Sequence, residues 1–247
     1  MDDGLWVRRY VPCEEAPLRL VCLPHASGSA TFYRPVAQTL APAIEVLAIQ
    51  YPGRQDRMNE RCLESIHELA DCVFTHIRGL SGPIALFGHS MGATLAFEVA
   101  LRLESAGLNP LCVFASGRQA PSRQRTSRLH LLSDEELLAD LRATAGTDPA
   151  LLADVGLRAV VLKALRADYK ALETYSPAPG AKLTCPIIAM VGENDPYAGP
   201  HDAPAWGDHT NGPFTVRVFP GDHFYLVQHA AAVLATIQDQ LIQHYPA

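Results

Sequence analysis

Ser90 stands in the stretch LFGHSMGA (86–93) with glycine two positions away on each side, Gly88 and Gly92. A serine hydroxyl is a weak nucleophile near neutral pH. It becomes effective when a histidine takes its proton and a carboxylate orients that histidine. The G-x-S-x-G spacing gives the glycines a purpose: where a serine sits on a sharp strand-to-helix turn, side chains two residues away would collide. His89 adjoins the serine, but neighbouring residues at a strand end project to opposite sides, so it reads as a structural histidine.

The partners are sought downstream, because the chain order on this turn is serine, acid, histidine. His201 and His209 read as exposed loop residues, and His229 and His244 fall at the start of and within the helical tail. His223, in FPGDHFYL just past the apolar run 214–219, lies on a glycine-containing loop and is the candidate base. For the acid, VGENDPYAG offers Asp195 and Glu193. Asp195 precedes a proline, which favours an extended conformation at a strand-end turn; it is the first choice and Glu193 the alternative. Asp202 and Asp208 lie farther along the loop, and Asp222 is expected to point away from its neighbour His223. An oxyanion needs two backbone N–H donors: one from the residue after the nucleophile, Met91, and one from the loop after an early strand. LPHASGSA (23–30) is that loop, with Ala26 as the donor.

These residues need a frame that gathers them at one edge. Apolar runs at 18–23, 45–50, 83–87, 111–116, 186–191 and 214–219 alternate with segments of helical period, the pattern of an α/β fold with a mostly parallel sheet flanked by helices. Leu63, Ile66, Leu69, Ala70, Val73, Phe74 and Ile77 form one helical stripe, 91–106 is apolar on most sides, and 230–244 is again helical. Between 116 and 186 no strand is expected. Ser133 and Glu136 have capping-box spacing there, and a long helical stretch runs through VVLKALRADYKALETY. An interval of this length exceeds a normal crossover. The reading is one domain, 1–247, with an inserted helical lid at about 122–178 over the carboxyl edge of the sheet.

Composition removes several function classes. The chain has 247 residues and a formal net charge of −6, so no global basic field points to nucleic acid. No apolar run approaches the roughly 18 residues of a membrane span, and the first residues lack the apolar core of a signal peptide. Six scattered cysteines without a CxxC pair read as reduced thiols of a cytoplasmic protein. HExxH, Walker A and GxGxxG patterns are absent from the sequence, so neither a metal nor a cofactor is implied.

Taken together, LPHASGSA, YPGR (51–54), GHSMGA (88–93), SGRQAP (116–121), RADYKALETY (166–175), GENDP (192–196) and GDHFYL (221–226) resemble the stand-alone type II thioesterases of polyketide and nonribosomal peptide assembly lines. The resemblance covers roughly 18–245. It implies an α/β-hydrolase fold, Ser90, Asp195 and His223 as a triad, and Ala26 and Met91 as the oxyanion pair. It further implies hydrolysis of stalled or aberrant acyl groups from the phosphopantetheine arm of an acyl or peptidyl carrier protein; the encounter is expected to be transient and the enzyme a monomer. Ser27 and Asp222 stand where glycine is common in the family, and Glu193 where aspartate often is. Asp222 could raise the pKa of His223 if the two groups approach.

Arg118, Arg123, Arg125 and Arg128 fall within eleven residues that contain no acid. They suggest either a solvated loop or a docking surface for an acidic carrier. Rival readings of the same motifs are a small-molecule esterase or lipase, a thioesterase releasing medium-length fatty acids, and a non-catalytic hydrolase-fold binding protein.

Overall fold

The computed structural model describes residues 3–123, 127–143 and 153–244. The apolar runs become strands β2 (Leu18–Leu23), β3 (Ile44–Ile49), β4 (Ile84–His89), β5 (Val113–Ser116), β6 (Ile187–Gly192) and β7 (Phe214–Phe219). They are parallel throughout. One strand was not expected: β1 (Val7–Arg8) pairs antiparallel with β3, and two residues are too few to show an alternating pattern. The sheet order is β1-β3-β2-β4-β5-β6-β7. Strands β2, β3 and β6 are buried along their whole length, as strands covered on both faces must be.

Two apolar layers cover the sheet. On one face lie helices α3 (Ile66–Ile77) and α4 (Met91–Ser105), bringing Ile66, Leu69, Val73 and Ile77 against Leu95, Phe97 and Val99. On the other lie α2 (Arg34–Leu40) and the C-terminal helix α8 (Ala230–His244), through Ala37, Leu40, Val233, Leu234 and Ile237; the short helices α1 (Asp3–Trp6) and α7 (Tyr225–Gln228) precede β1 and α8. The first turn of α3 is capped by Ser65, whose hydroxyl accepts from Glu68 N.

Between β5 and β6 the described residues hold two longer helices, α5 (Asp134–Ala143) and α6 (Val155–Glu173). Ser133 and Glu136 close the expected capping box, with Glu136 N donating to Ser133 Oγ at 3.3 Å and Ser133 N to Glu136 Oε2 at 2.8 Å. Leu137, Leu138, Leu141, Leu162 and Leu165 form a small apolar cluster apart from both sheet layers.

The order of connection reverses between β2 and β4, which lie side by side with Leu23 opposite Gly88. The crevice outside the carboxyl ends at such a reversal is where parallel sheets bind ligands. The loops leaving β2 and β4 therefore open into one place. No described helix is long and apolar enough to cross a membrane, and all six cysteines are free.

Candidate active site

Ser90 joins β4 to α4 with φ 54° and ψ −116°, a backbone conformation that non-glycine residues rarely hold. The strained residue is pinned by Ser90 N donating to Ser116 O at 2.8 Å and Ala93 N donating to Ser90 O at 3.0 Å. A Cβ on Gly88 would lie 1.9 Å from Gly92 O, and one on Gly92 would lie 2.0 Å from Leu23 O. The two glycines thus do separate jobs: one lets the turn close on itself, the other lets it approach the end of β2.

The acid and base are brought together by β6 and β7. Glu193 N donates to Phe219 O at 2.8 Å and Asn194 N to Gly221 O at 2.9 Å, so the loops that follow the two strands run together. A Cβ on Gly192 would meet Asp222 O at 2.2 Å, which fixes glycine at the point of contact. His223 Nδ1 donates to Asp195 Oδ2 at 2.8 Å, with both residues buried. The other oxygen, Oδ1, accepts from Tyr197 N at 2.8 Å and Ala198 N at 3.2 Å, which leaves the carboxylate little freedom to turn. Glu193 is exposed and takes no part in this pair. Asp222 accepts from Phe224 N at 3.0 Å and closes its own turn.

Ser90 and His223 line one cavity of about 300 Å³, together with Gly117, Arg118, Tyr169 and Tyr197. Residues from α5, α6 and the loop before them (Ser127, Leu129, Asp140, Leu172, Glu173) form the rest of its wall. Glu173 holds that wall together. It accepts from Ser127 Oγ at 2.6 Å, from Leu129 N at 2.6 Å and from His130 N at 3.2 Å, and it also bonds the His130 ring.

The loop after β2 is a tight turn in which Gly28 N donates to His25 O at 2.9 Å. Its third residue, Ser27, has φ 60°, a position that ordinarily calls for glycine. Ser27 N donates to Asp168 Oδ2 at 2.7 Å. Tyr33 and Tyr51 anchor the start of the loop by donating their hydroxyls to Leu23 O and Pro24 O. Met91 opens α4, where first-turn N–H groups find no acceptor within the helix. Ala26 and Met91 thus follow the carboxyl ends of adjacent strands.

Two further histidines surround the His223 ring. His89 lies 4.9 Å away between ring centroids, and His25 lies 6.1 Å from His89. Burial, reinforced by His223 and Arg54, lowers the His25 pKa to about 3. Burial, then His223 and His25, drives His89 well below the ordinary range. Both rings stay neutral near pH 7 and add no charge beside His223. The structural reading of His89 agrees with its position: it is fully buried, and its Nδ1 meets Ser116 Oγ at 2.9 Å, which in turn meets Tyr225 OH at 2.7 Å.

One histidine was misjudged. His209 is buried, because residues 203–209 form a 3₁₀ helix that folds the ring onto Phe97 and Trp206, where Nε2 accepts from Ser122 N at 3.2 Å. His201 is exposed as expected. Of the four arginines, Arg118 lines the cavity, Arg123 and Arg128 are exposed, and Arg125 lies outside the described residues.

Sequence reasoning missed an ion pair. Arg54 Nη1 and Nη2 bond Asp168 Oδ2 and Oδ1 at 2.8 and 2.9 Å, joining YPGR to the RADY segment of α6. A signal was available, since Asp168 sits on the stripe formed by Val161, Leu165 and Leu172, where a charge must find a partner.

The profile of the thioesterase domain family matches residues 18–241. The chain belongs to the thioesterase family. As a thioesterase it is a hydrolase of thioesters, and its likenesses extend over nearly its whole length. It is 46% identical over 245 residues to the thioesterase PikA5 of Streptomyces venezuelae, covering 98% of this chain and 87% of that protein. It is also 46% identical over 237 residues to the Streptomyces griseus protein named "Probable cadicidin biosynthesis thioesterase", covering 96% of this chain and 66% of that relative. Among solved structures, the type II thioesterase BorB from the borrelidin biosynthetic cluster superposes with a TM-score of 0.90 at 54% identity, covering 96% of this chain and 98% of BorB. The sequence resemblance to type II thioesterases and the α/β-hydrolase fold it implied are both borne out.

Proposed function

We propose that this thioesterase removes stalled or aberrant acyl groups from the phosphopantetheine arm of acyl or peptidyl carrier proteins in polyketide or nonribosomal peptide assembly lines. Ser90 is its nucleophile, His223 its base and Asp195 the orienting acid. The observation that carries the reading is the buried Asp195–His223 hydrogen bond at the edge of the cavity that Ser90 lines. In this reading His223 takes the Ser90 proton as Oγ bonds to the thioester carbon. The resulting oxyanion is held by the N–H groups of Ala26 and Met91. The C–S bond then breaks, and the pantetheine thiol leaves with the proton from His223. A water molecule, deprotonated by His223, cleaves the acyl-enzyme, and Ser90 recovers its proton. A thiol of pKa near ~8.5 leaves readily, so little general-acid assistance is required.

The kinship with PikA5 and BorB supports the substrate class. The segment 122–178, of which 124–126 and 144–152 lie outside the described residues, acts as a lid of the single domain 1–247, and the enzyme works as a monomer in the cytoplasm. The substrate brings the phosphopantetheine, and no cofactor or metal of the enzyme's own enters the scheme.

The test is mass spectrometry of carrier proteins loaded with a panel of acyl groups. Wild type is expected to release acyl groups, Ser90→Ala to release none, and Asp195→Asn to be slower by about 10⁴-fold. Equal release by Ser90→Ala and wild type defeats the proposal, as does a clear preference for small oxygen esters.

A further inference from the structure

Arg54 and Asp168 contribute nothing to the scheme above, yet they form a buried ion pair that is costly to assemble. Asp168 is fully buried and Arg54 is 4% exposed. Replacing such pairs with apolar residues is often neutral or stabilising, so their presence calls for a geometric reason. The bonds around the pair supply one. Asp168 Oδ2 takes the Ser27 N–H at 2.7 Å and Arg54 Nη1 at 2.8 Å, while Oδ1 takes Arg54 Nη2 at 2.9 Å. Arg54 Nη1 also reaches Gly28 O at 3.2 Å, so the pair grips the turn at two consecutive residues. Gln50 steadies the same unit, its Oε1 accepting from Ala30 N at 2.9 Å and its Nε2 donating to Arg54 O at 3.3 Å.

The gripped residue is the one least suited to its backbone. Ser27 holds φ 60° without being glycine, and the next amide toward the N-terminus is Ala26. On the side of the turn lined by Ser27, Gly28 and Arg54, a second hollow of about 370 Å³ separates the loop from Leu157, Val161 and Ala164 of α6. Beside this hollow the Ser27–Gly28 half of the turn is held by polar bonds, while Ala26 rests on the leucine cluster of α5 and α6. Asp168 of α6 bonds the turn, so the helix that walls the Ser90 cavity is also tied to the loop that carries Ala26.

We propose that Asp168, clamped by Arg54, is a positioning residue that sets the Ala26 N–H, so that the oxyanion hole is complete only with α6 seated on the turn. The inference rests on the assignment of Ala26 as an oxyanion donor. Neither Arg54 nor Asp168 touches the reacting atoms.

The test uses the full chain and four variants: Asp168→Asn, Arg54→Lys, Ser27→Gly, and Ser27→Gly with Asp168→Asn. The readouts are kcat and KM on an acyl-pantetheine thioester, and inhibition by two analogues of it. A trifluoromethyl ketone forms an oxyanion at Ser90, whereas the corresponding amide mimics only the ground state. Asp168→Asn and Arg54→Lys are expected to lower kcat by about 10- to 100-fold. KM and amide affinity should stay within about twofold, and ketone affinity should fall in step with kcat/KM. Ser27→Gly in the Asp168→Asn background should recover several-fold in kcat, because glycine holds φ near 60° without the carboxylate. General loosening of the fold predicts no such recovery. Should Asp168→Asn fail to fold, Arg54→Lys, which keeps the charge and loses the fork, carries the same test. Ketone affinity and kcat within twofold of wild type in both single variants overturns the inference. So does an equal loss of amide and ketone affinity. Ser90→Ala is run alongside: if it is active, the assignment of the nucleophile has failed, whereas an inert Ser90→Ala beside an unaffected Asp168→Asn refutes this inference alone.

Discussion

Gly92→Ala tests how closely the nucleophile turn and the oxyanion loop must approach. The new Cβ would lie 2.0 Å from Leu23 O and 2.9 Å from Pro24 O, whereas real Cβ contacts below 3.0 Å are essentially unknown. About 1 Å of separation must therefore open between α4 and the end of β2. Both contacted atoms are backbone, so no side chain can swing aside. The strain is that of overpacking in a close-packed interior, about 1–3 kcal/mol of stability. The opening falls between the residues that carry Met91 and Ala26. Misplacement by about 1 Å at a reacting centre costs about 10²-fold in rate. Urea denaturation and kcat on a soluble acyl thioester read the two effects separately. Gly79→Ala, whose Cβ meets nothing within 4 Å, is the control and should change neither quantity. A Gly92→Ala protein with wild-type kcat would refute the reasoning, whatever its stability, because it would show that the spacing of the two loops is not critical.

Two further outcomes are expected. Arg123→Glu combined with Arg125→Glu should lower kcat/KM on acyl-carrier substrates by about tenfold at low salt and spare a small thioester; an equal effect on both substrates removes the docking role. Glu173 should make the cavity wall acid-sensitive. Burial raises its pKa, but hydrogen bonds from Ser127, His130 and Leu129 outweigh that and leave it below the ordinary 4.5. A depressed folded pKa means the stabilisation is present above pH 4.5 and lost as pH falls through the lower folded value. Glu173→Gln should therefore be less stable than wild type at pH 7 by about 1–3 kcal/mol, with the gap narrowing below pH 4.5. A gap that is the same at pH 3.5 and pH 7 in urea titrations contradicts this assignment.

The parallel strands were legible because each run is mainly apolar, with Arg19 and Glu45 of β2 and β3 pairing with each other, and the candidate residues were legible because each stands just after one of them. Asp195 and His223 meet for a reason the sequence shows only in part: proline and glycine mark the two turns, but the bonds joining the loops are backbone to backbone and carry no residue signature. The burial of His209 was hidden for a similar reason, since a 3₁₀ turn has no clear apolar period. Ser27 was noticed as a departure from glycine, and its positive φ explains why glycine is usual there. Its compensation comes from Asp168, 141 residues away in the chain. A local reading of either motif does not reveal that link.

The leucine cluster of α5 and α6 has its own small interior, against which Ala26 and Tyr169 rest. A segment so built can be exchanged between relatives as a block. Its cavity-facing positions, such as Leu129 and Leu172, can then diverge while the strand ends stay fixed. Chimeras that graft this segment should accordingly shift acyl preference at little expense to the sheet, on the condition that the incoming helix brings an aspartate to meet Arg54.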